Sequence, residues 1–288
     1  MKIGVSAFAW TTKLNQGHLD LFPAIGEHGI EAFEIPMFDP SDLNVPQLRQ
    51  AFQSSGLECT VCAILPPGIN PLSSDASDRF KARAHLARCI ETAAEIGAHR
   101  IGGPLYAPIG YLPGRRRTGE QWCWAVEYFQ SLQSFGDILN QHQMTLSIEP
   151  VNRAESFFLN TTSDAIALLD EIGNPRIGVL IDTFHANIEE KNLSAAVHTA
   201  GQRLYHLHAS ENDRGLVGSG HVPFPAIITA LRQIQYDGYL MIEGFGYSPH
   251  EQNSLGALWG DLHVSPEDIA YQGASYLRGV IDHVSQPA

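Results

Sequence analysis

The chain is short of thiols, of positive charge and of long apolar runs. Only four of its 288 residues are cysteine, too few for a scaffold built on disulfides. Cys59 and Cys62 form its single C-x-x-C, but both fall inside the apolar run Glu58-Cys-Thr-Val-Cys-Ala-Ile64. Residues three apart on a strand point to opposite faces, so the pair can share neither a metal nor a redox disulfide, and two packed thiols are expected. Lysine and arginine total 18 against 31 acids, a formal charge of −13. That balance repels a phosphate backbone and argues against nucleic acid as a partner. The basic run Arg115-Arg116-Arg117 sits in a Gly-flanked loop and reads as a solvated turn rather than a phosphate clamp. No apolar run approaches the roughly 18 residues of a membrane span, and no basic-apolar leader follows Met1. The expectation is a cytoplasmic protein with no membrane partner.

What the chain does have is a repeated phrase. Gly178-Val-Leu-Ile-Asp182, Thr145-Leu-Ser-Ile-Glu149, Leu204-Tyr-His-Leu-His208 and Tyr239-Leu-Met-Ile-Glu243 are short apolar runs, each ending on a side chain able to bind metal. Continuous Val/Leu/Ile runs bounded by glycine and polar residues read as strands buried on both faces, as in a parallel sheet. Four earlier runs, at Lys2 to Phe8, Ile30 to Ile35, Glu58 to Ile64 and His99 to Gly103, bring the count to eight. Most are separated by helical periodicity with recognisable ends. Thr118-Gly-Glu-Gln121 has the form of a capping box, Thr162 or Ser163 caps a helix stopped by Gly173, and Ser265-Pro-Glu-Asp268 starts the last one. The paired glycines at 102 and 103 imply a close backbone approach at the end of the fourth strand. Eight beats of strand and helix, without a G-x-G-x-x-G turn after the first strand, predict an α/β fold, a (β/α)8 TIM barrel, as a single domain over residues 1–288.

Barrel closure would bring the ends of the last four strands into one mouth, where Glu149, Asp182, His208 and Glu243 converge. Three oxygen ligands and one imidazole, without thiolate, suit one divalent metal of the Mn2+, Co2+ or Mg2+ type better than a structural zinc. Three carboxylates about one dication leave a local charge near −1 and room for a neutral, chelating substrate. One acid at a strand end is ordinarily a cap or a solvated loop residue. Four on consecutive strands would each cost several kcal/mol if buried around one cavity without partners.

The segments Glu149-Pro-Val-Asn-Arg153 with Glu155, Asp182-Thr-Phe-His185-Ala-Asn-Ile-Glu-Glu190, His206-Leu-His208-Ala-Ser-Glu211-Asn-Asp-Arg214-Gly215 and Ile242-Glu243-Gly-Phe245 resemble the ketose 3-epimerases. That group, of D-tagatose and D-allulose 3-epimerases, belongs to the xylose-isomerase-like barrels. The resemblance covers the C-terminal half in order; the N-terminal half matches only in rhythm. It implies that Glu149, Asp182, His208 and Glu243 bind the metal, that Glu149 and Glu243 are also the acid/base pair, and that Glu155, His185 and Arg214 contact substrate hydroxyls. It further implies a homodimer or homotetramer working with Mn2+ or Co2+. Trp10, Cys62 and Ile64 lie near early strand ends, where pocket lining and core packing are both open.

The expected reaction is metal-dependent epimerisation of a free ketose at C3 through a cis-enediolate, by proton transfer between two carboxylates. The alternative is another sugar isomerase of the same superfamily, of the aldose-ketose, hydroxypyruvate or inosose type. A hydride shift between two metals would need a second carboxylate cluster, for which Glu211 and Asp213 are the candidates. A barrel endonuclease would need more strand-end histidines and a basic face, and a sugar-binding scaffold would not need two opposed acids.

Overall fold

Each apolar run pairs in parallel with its sequence neighbours, and the last returns to the first. The result is a closed barrel in the order β1 to β8. The computed structural model describes residues 1–132, 136–246 and 260–285. The strands are β1 (Lys2–Ser6), β2 (Ala32–Met37), β3 (Glu58–Ala63), β4 (Arg100–Gly103), β5 (Thr145–Ile148), β6 (Ile177–Asp182), β7 (Leu204–Ala209) and β8 (Tyr239–Ile242). All eight coincide with the runs read from the sequence to within a few residues, and the barrel is the predicted fold.

Between them lie α1 (Gln16–Leu19), α2 (Phe22–Glu27), α3 (Val45–Ser55), α4 (Ala76–Ile96), α5 (Gly119–Gln130), α6 (Gly136–Gln141), α7 (Thr162–Ile172), α8 (Thr183–Glu189), α9 (Leu193–Ala200), α10 (Phe224–Gln233) and α11 (Pro266–Ser285). Thr118 and Gln121 form the expected reciprocal capping box at the start of α5. Ser265 Oγ accepts from Asp268 N at 3.0 Å at the start of α11. Two details differ. The segment around Leu19, Leu21 and Ile25 is broken into α1 and α2, because Pro23 has no N–H to continue a helix and instead occupies the first turn of a new one. The cap of α7 is Thr161, whose hydroxyl accepts from Asp164 N, rather than Thr162 or Ser163.

The main core lies between the barrel wall and the helices, where Phe22, Phe33, Tyr128 and Phe129 are buried. Inside the barrel the fill is thinner. Ala32, Tyr239 and Met241 form a separate buried cluster, and a Cβ on Gly4 would fall 2.6 Å from Met241 Cε. A register shift between β6 and β7 leaves Tyr205 unpaired, and the Gly178 backbone, lacking a Cβ, admits the Tyr205 ring. Beyond that bulge His206 pairs with Leu180 and His208 with Asp182. Period-two alternation then aims both imidazoles at the interior.

Candidate active site

At the carboxyl ends of the strands the barrel interior turns from apolar to ionisable. Asp182 closes β6, His208 lies one residue before the end of β7, and Glu149 and Glu243 follow directly on β5 and β8. All four side chains are buried. Glu149, Asp182 and His208 each offer a ligand atom, and these atoms lie within 4.8 Å of one another. Glu243 joins them with Oε1 3.3 Å from His208 Nδ1, and Asp182 Oδ2 lies 3.9 Å from the same nitrogen. Asp182 Oδ1 also caps α8, accepting from Phe184 N at 2.6 Å. That helix was not expected, and it carries His185 in its first turn rather than on a loop.

Arg214 draws the acids together. Its Nη1 lies 2.6 Å from Asp182 Oδ2 and 2.5 Å from Glu243 Oε2, its plane stacks over Phe184 at 4.0 Å, and its Nη2 comes 3.1 Å from His185 Nε2. It has a φ of 64°, a left-handed conformation that costs about 1 kcal/mol in a non-glycine residue and is held by its neighbours. Phe245 N donates to the Arg214 carbonyl at 2.9 Å. Buried Glu211 accepts from the backbone N–H groups of Asn212, Gly218 and Val222, tying down the rest of the loop. Glu211 is thus committed to main chain and does not pair with Asp213 as a second metal cluster.

The protonation pattern follows from burial and these pairings. Burial, with Glu243 and Asp182 close by, pushes Glu149 well above the usual carboxylate range against the pull of His208 and Arg214. Burial pushes Asp182 up as well. Glu243 feels the same desolvation, but His208 and Arg214 outweigh it and bring it down to about 2. His208, despite burial, is raised well above an ordinary histidine by Glu34 and Glu243. Burial and the adjacent guanidinium lower His185 to about 3, so its ring is neutral. Donors flank both ring nitrogens: the backbone N–H of Asn152 faces His185 Nδ1 at 3.2 Å, and the Arg214 guanidinium faces Nε2. That nitrogen lies 3.7 Å from Glu149 Oε1.

The donor set fits a divalent metal. Neither ring nitrogen of the buried His208 has an aligned hydrogen-bond partner, a deficit that ordinarily costs roughly 1 to 3 kcal/mol. The carboxylates around Nδ1 give the oxygen-rich surroundings that Mn2+ or Mg2+ takes. Cys62 lines the same cavity, but burial and the nearby acids drive its thiol well above its ordinary value, and a protonated thiol is a poor ligand. With Glu34 below His208 counted beside the three carboxylates and against the Arg214 guanidinium, a dication leaves the local charge near −1.

Above these groups opens a cavity of about 250 Å³, onto which Glu149, Glu155, His185, Arg214 and Glu243 all face. Glu155 is steered by Asn152 Nδ2 at 2.8 Å. The rest of the wall is apolar, with Phe8, Phe38, Ile64, Leu65 and Phe245 prominent. Cys62 and Ile64 therefore line the pocket, whereas Trp10 packs on the core and donates its Nε1–H to Glu267 at 2.9 Å. The arginine run contributes nothing to the cavity. Arg117 pairs with Asp164 at 2.7 Å and stacks on Trp122, while Arg115 and Arg116 are exposed.

Sequence reading passed over two residues of this centre. Glu34 on β2 is fully buried, with Oε1 2.9 Å from His208 Nε2 and Oε2 2.8 Å from His206 Nε2. The signal was present: an acid inside Ala32-Phe-Glu-Ile35, buried at every position, and a His-x-His spacing that places both rings on one face of a strand.

A closed parallel barrel with acids and an imidazole gathered at the carboxyl ends of its last strands is the class of fold that places its active site at that mouth. Three comparisons narrow the class. The profile described as "Xylose isomerase-like TIM barrel" matches residues 22–279, and the chain belongs to that family. A D-psicose 3-epimerase of Agrobacterium fabrum is 31% identical over 88% of this chain and 86% of its own length. A probable ketose 3-epimerase of Synechocystis sp. is 29% identical over 96% of both. The crystal structure of a D-allulose 3-epimerase from Methylomonas sp. in complex with D-allulose superposes with a TM-score of 0.87 at 27% identity, covering 97% of this chain and 96% of that one. Within the family, this chain's kinship is with carbohydrate epimerases, that is, isomerases.

Proposed function

We propose that this protein inverts a free ketose at C3, with Glu149 and Glu243 as the proton-transfer pair at a centre built to hold one divalent metal. The observation that carries the reading is that both carboxylates reach one small cavity from strands on different sides of its floor, with His185 and Arg214 beside them. At about 250 Å³ the cavity is near the lower end of ligand pockets and suits a monosaccharide. Among the described lining residues Arg214 is the only cation, and its charge is engaged by Asp182 and Glu243. That favours an uncharged sugar over a phosphorylated one. The relatives' names point to the same substrate class.

Glu149, Asp182, His208 and Glu243 would hold the metal, with Mn2+ the preferred ion. Bound there, a divalent metal would supply Lewis acidity to the ketose carbonyl oxygen and the neighbouring hydroxyl and so acidify the C3 hydrogen. One glutamate takes that proton as the enediolate forms, and the other delivers a proton to the opposite face. A carboxylate has two oxygens for the two roles, and at Glu243 one of them, Oε2, is shared with Arg214 Nη1. His185, Glu155 and Arg214 face the same cavity and contact substrate hydroxyls. The apolar upper wall excludes water from the exchanging proton.

The test is a panel of free ketoses in D2O with Mn2+, scored for the C3 epimer and for deuterium at C3. E149Q and E243Q should each lose both signals by at least ~100-fold, the scale of general acid–base catalysis. Undiminished exchange in either variant sinks the assignment. Deuterium at C1 without C3 inversion would instead indicate aldose-ketose isomerisation by proton transfer, and an aldose formed without deuterium a hydride shift.

A further inference from the structure

One buried acid in the barrel has no part in the chemistry above. Glu34 lies below the cavity floor, fully buried, and a lone carboxylate at that depth costs several kcal/mol unless it is partnered. Its partners are specific. Thr60 Oγ1 donates to Oε2 at 3.0 Å from the neighbouring strand β3, and His206 Nε2 meets the same oxygen at 2.8 Å from β7 across the barrel. Those two contacts fix the carboxylate plane and leave Oε1 facing His208 Nε2 at 2.9 Å. The His206 ring also stands edge-on to the His208 ring, with centroids 5.1 Å apart at 79°, and limits its rotation.

We infer that Glu34 is a positioning residue: it holds the His208 ring so that Nδ1 is presented to the carboxylates of Glu149, Asp182 and Glu243. An imidazole can ligate only through a nitrogen that carries no proton, so its single remaining proton must reside on the other. The Glu34 and His208 pair is not aligned as a hydrogen bond, but the charge of the Glu34 carboxylate 2.9 Å away favours this proton on Nε2, which frees Nδ1 and makes that nitrogen a stronger donor. His206 takes the role of Glu34's own anchor, using its Nε2 on the carboxylate. This rests on the metal-centre reading above and extends it below the ligands.

Glu34, His206 and His208 also have ligand atoms within 4.8 Å of one another, and the experiment separates positioning from ligation. Wild type, E34Q and E34D are stripped of metal and titrated with Mn2+ against a fluorescent chelator. The nitrogen coupling of bound Mn2+ is read by pulsed EPR, and urea stability is measured on the stripped proteins. E34Q keeps the shape and loses the charge; E34D keeps the charge but draws the carboxylate away from Nε2, and it decides the matter if E34Q does not fold. The expected result is one Mn2+ per wild-type chain, affinity weakened roughly 10 to 100-fold in the variants, and an altered nitrogen coupling. A merely structural glutamate would lower urea stability and leave the affinity and coupling of the folded variant unchanged, which overturns the inference. So does a wild type that binds two Mn2+ and an E34Q that binds one, since Glu34 would then be a ligand. A wild type that binds no Mn2+ overturns the metal-centre reading as well.

Discussion

The glycines that end β4 offer a graded test of how tightly the site is built into the barrel wall. Gly103 has a φ of 126°, and a Cβ placed on it would lie 2.2 Å from the Ala63 carbonyl oxygen of β3. The neighbouring Gly102 has no such conformation, and its Cβ would meet the end of the Leu180 side chain at 2.7 Å. Gly103→Ala therefore incurs about 1 to 3 kcal/mol for a conformation that side chains resist. It adds a further ~1 to 3 kcal/mol for overpacking against main chain that cannot rotate away. Gly102→Ala meets only a flexible methyl and carries the second cost alone, toward its lower end. The expected losses are roughly 4 kcal/mol and roughly 1 kcal/mol, which at ~2 to 4 °C per kcal/mol is a Tm difference on the order of 10 °C. Because Glu149 N donates to the Gly103 carbonyl at 3.1 Å, any relief of the clash also displaces a site carboxylate. Urea denaturation of the stripped protein, at unchanged m-value, gives the stabilities, and Mn2+ titration gives the second effect. A Gly103→Ala variant within ~1 kcal/mol of wild type, or no worse than Gly102→Ala, refutes the reasoning.

Arg214→Lys should lower kcat/KM by roughly 10 to 100-fold, because an ammonium cannot hold Asp182 and Glu243 through one nitrogen and reach His185 through another while lying over the Phe184 ring; steady-state kinetics showing less than a twofold change would dismiss a binding role for the guanidinium. Dialysis against a strong chelator should abolish epimerisation, and restoring one equivalent of Mn2+ per chain should return it, as measured by elemental analysis beside activity; activity surviving complete stripping would contradict metal dependence. On α4, burial, aided by Arg88, lowers the pKa of His85. The unfolded chain therefore takes up that proton first, and the stability contributed by a neutral His85 is present above pH ~6.5 and drains away as the pH falls below that value. His85→Gln should flatten this part of the stability-versus-pH curve in urea titrations, and an unchanged slope would count against it.

The barrel was legible because its signal is periodic and repeated. Strands buried on both faces spell themselves as Val/Leu/Ile runs, and helix ends such as Thr118 with Gln121 have local chemistry of their own. The metal-competent strand ends were legible for the same reason, as polar residues at fixed places in those runs. What escaped was long-range. Nothing near Glu34 says that His206 and His208, on a strand five further along the barrel, face it across the interior. Helix α8 is brief and begins on the acid expected to be a ligand, so its start was hidden inside the strand's polar terminus. Arg214 was expected at the substrate, but its pairing with Asp182 and Glu243 was not, because it reaches them from a loop, in a conformation that composition does not announce.

The buried cluster takes Glu34 from the second strand and Glu243 from just past the eighth, with ring closure depending on the pairing of β8 with β1. A chain still emerging from a ribosome can thus present isolated acids but not the assembled cage. Capture of an ion must await the final pairing, so metal uptake during refolding should lag behind helix formation and keep pace with the sealing of the ring. An ion held there would act as a latch on a finished cylinder, not as a nucleus for an unfinished one.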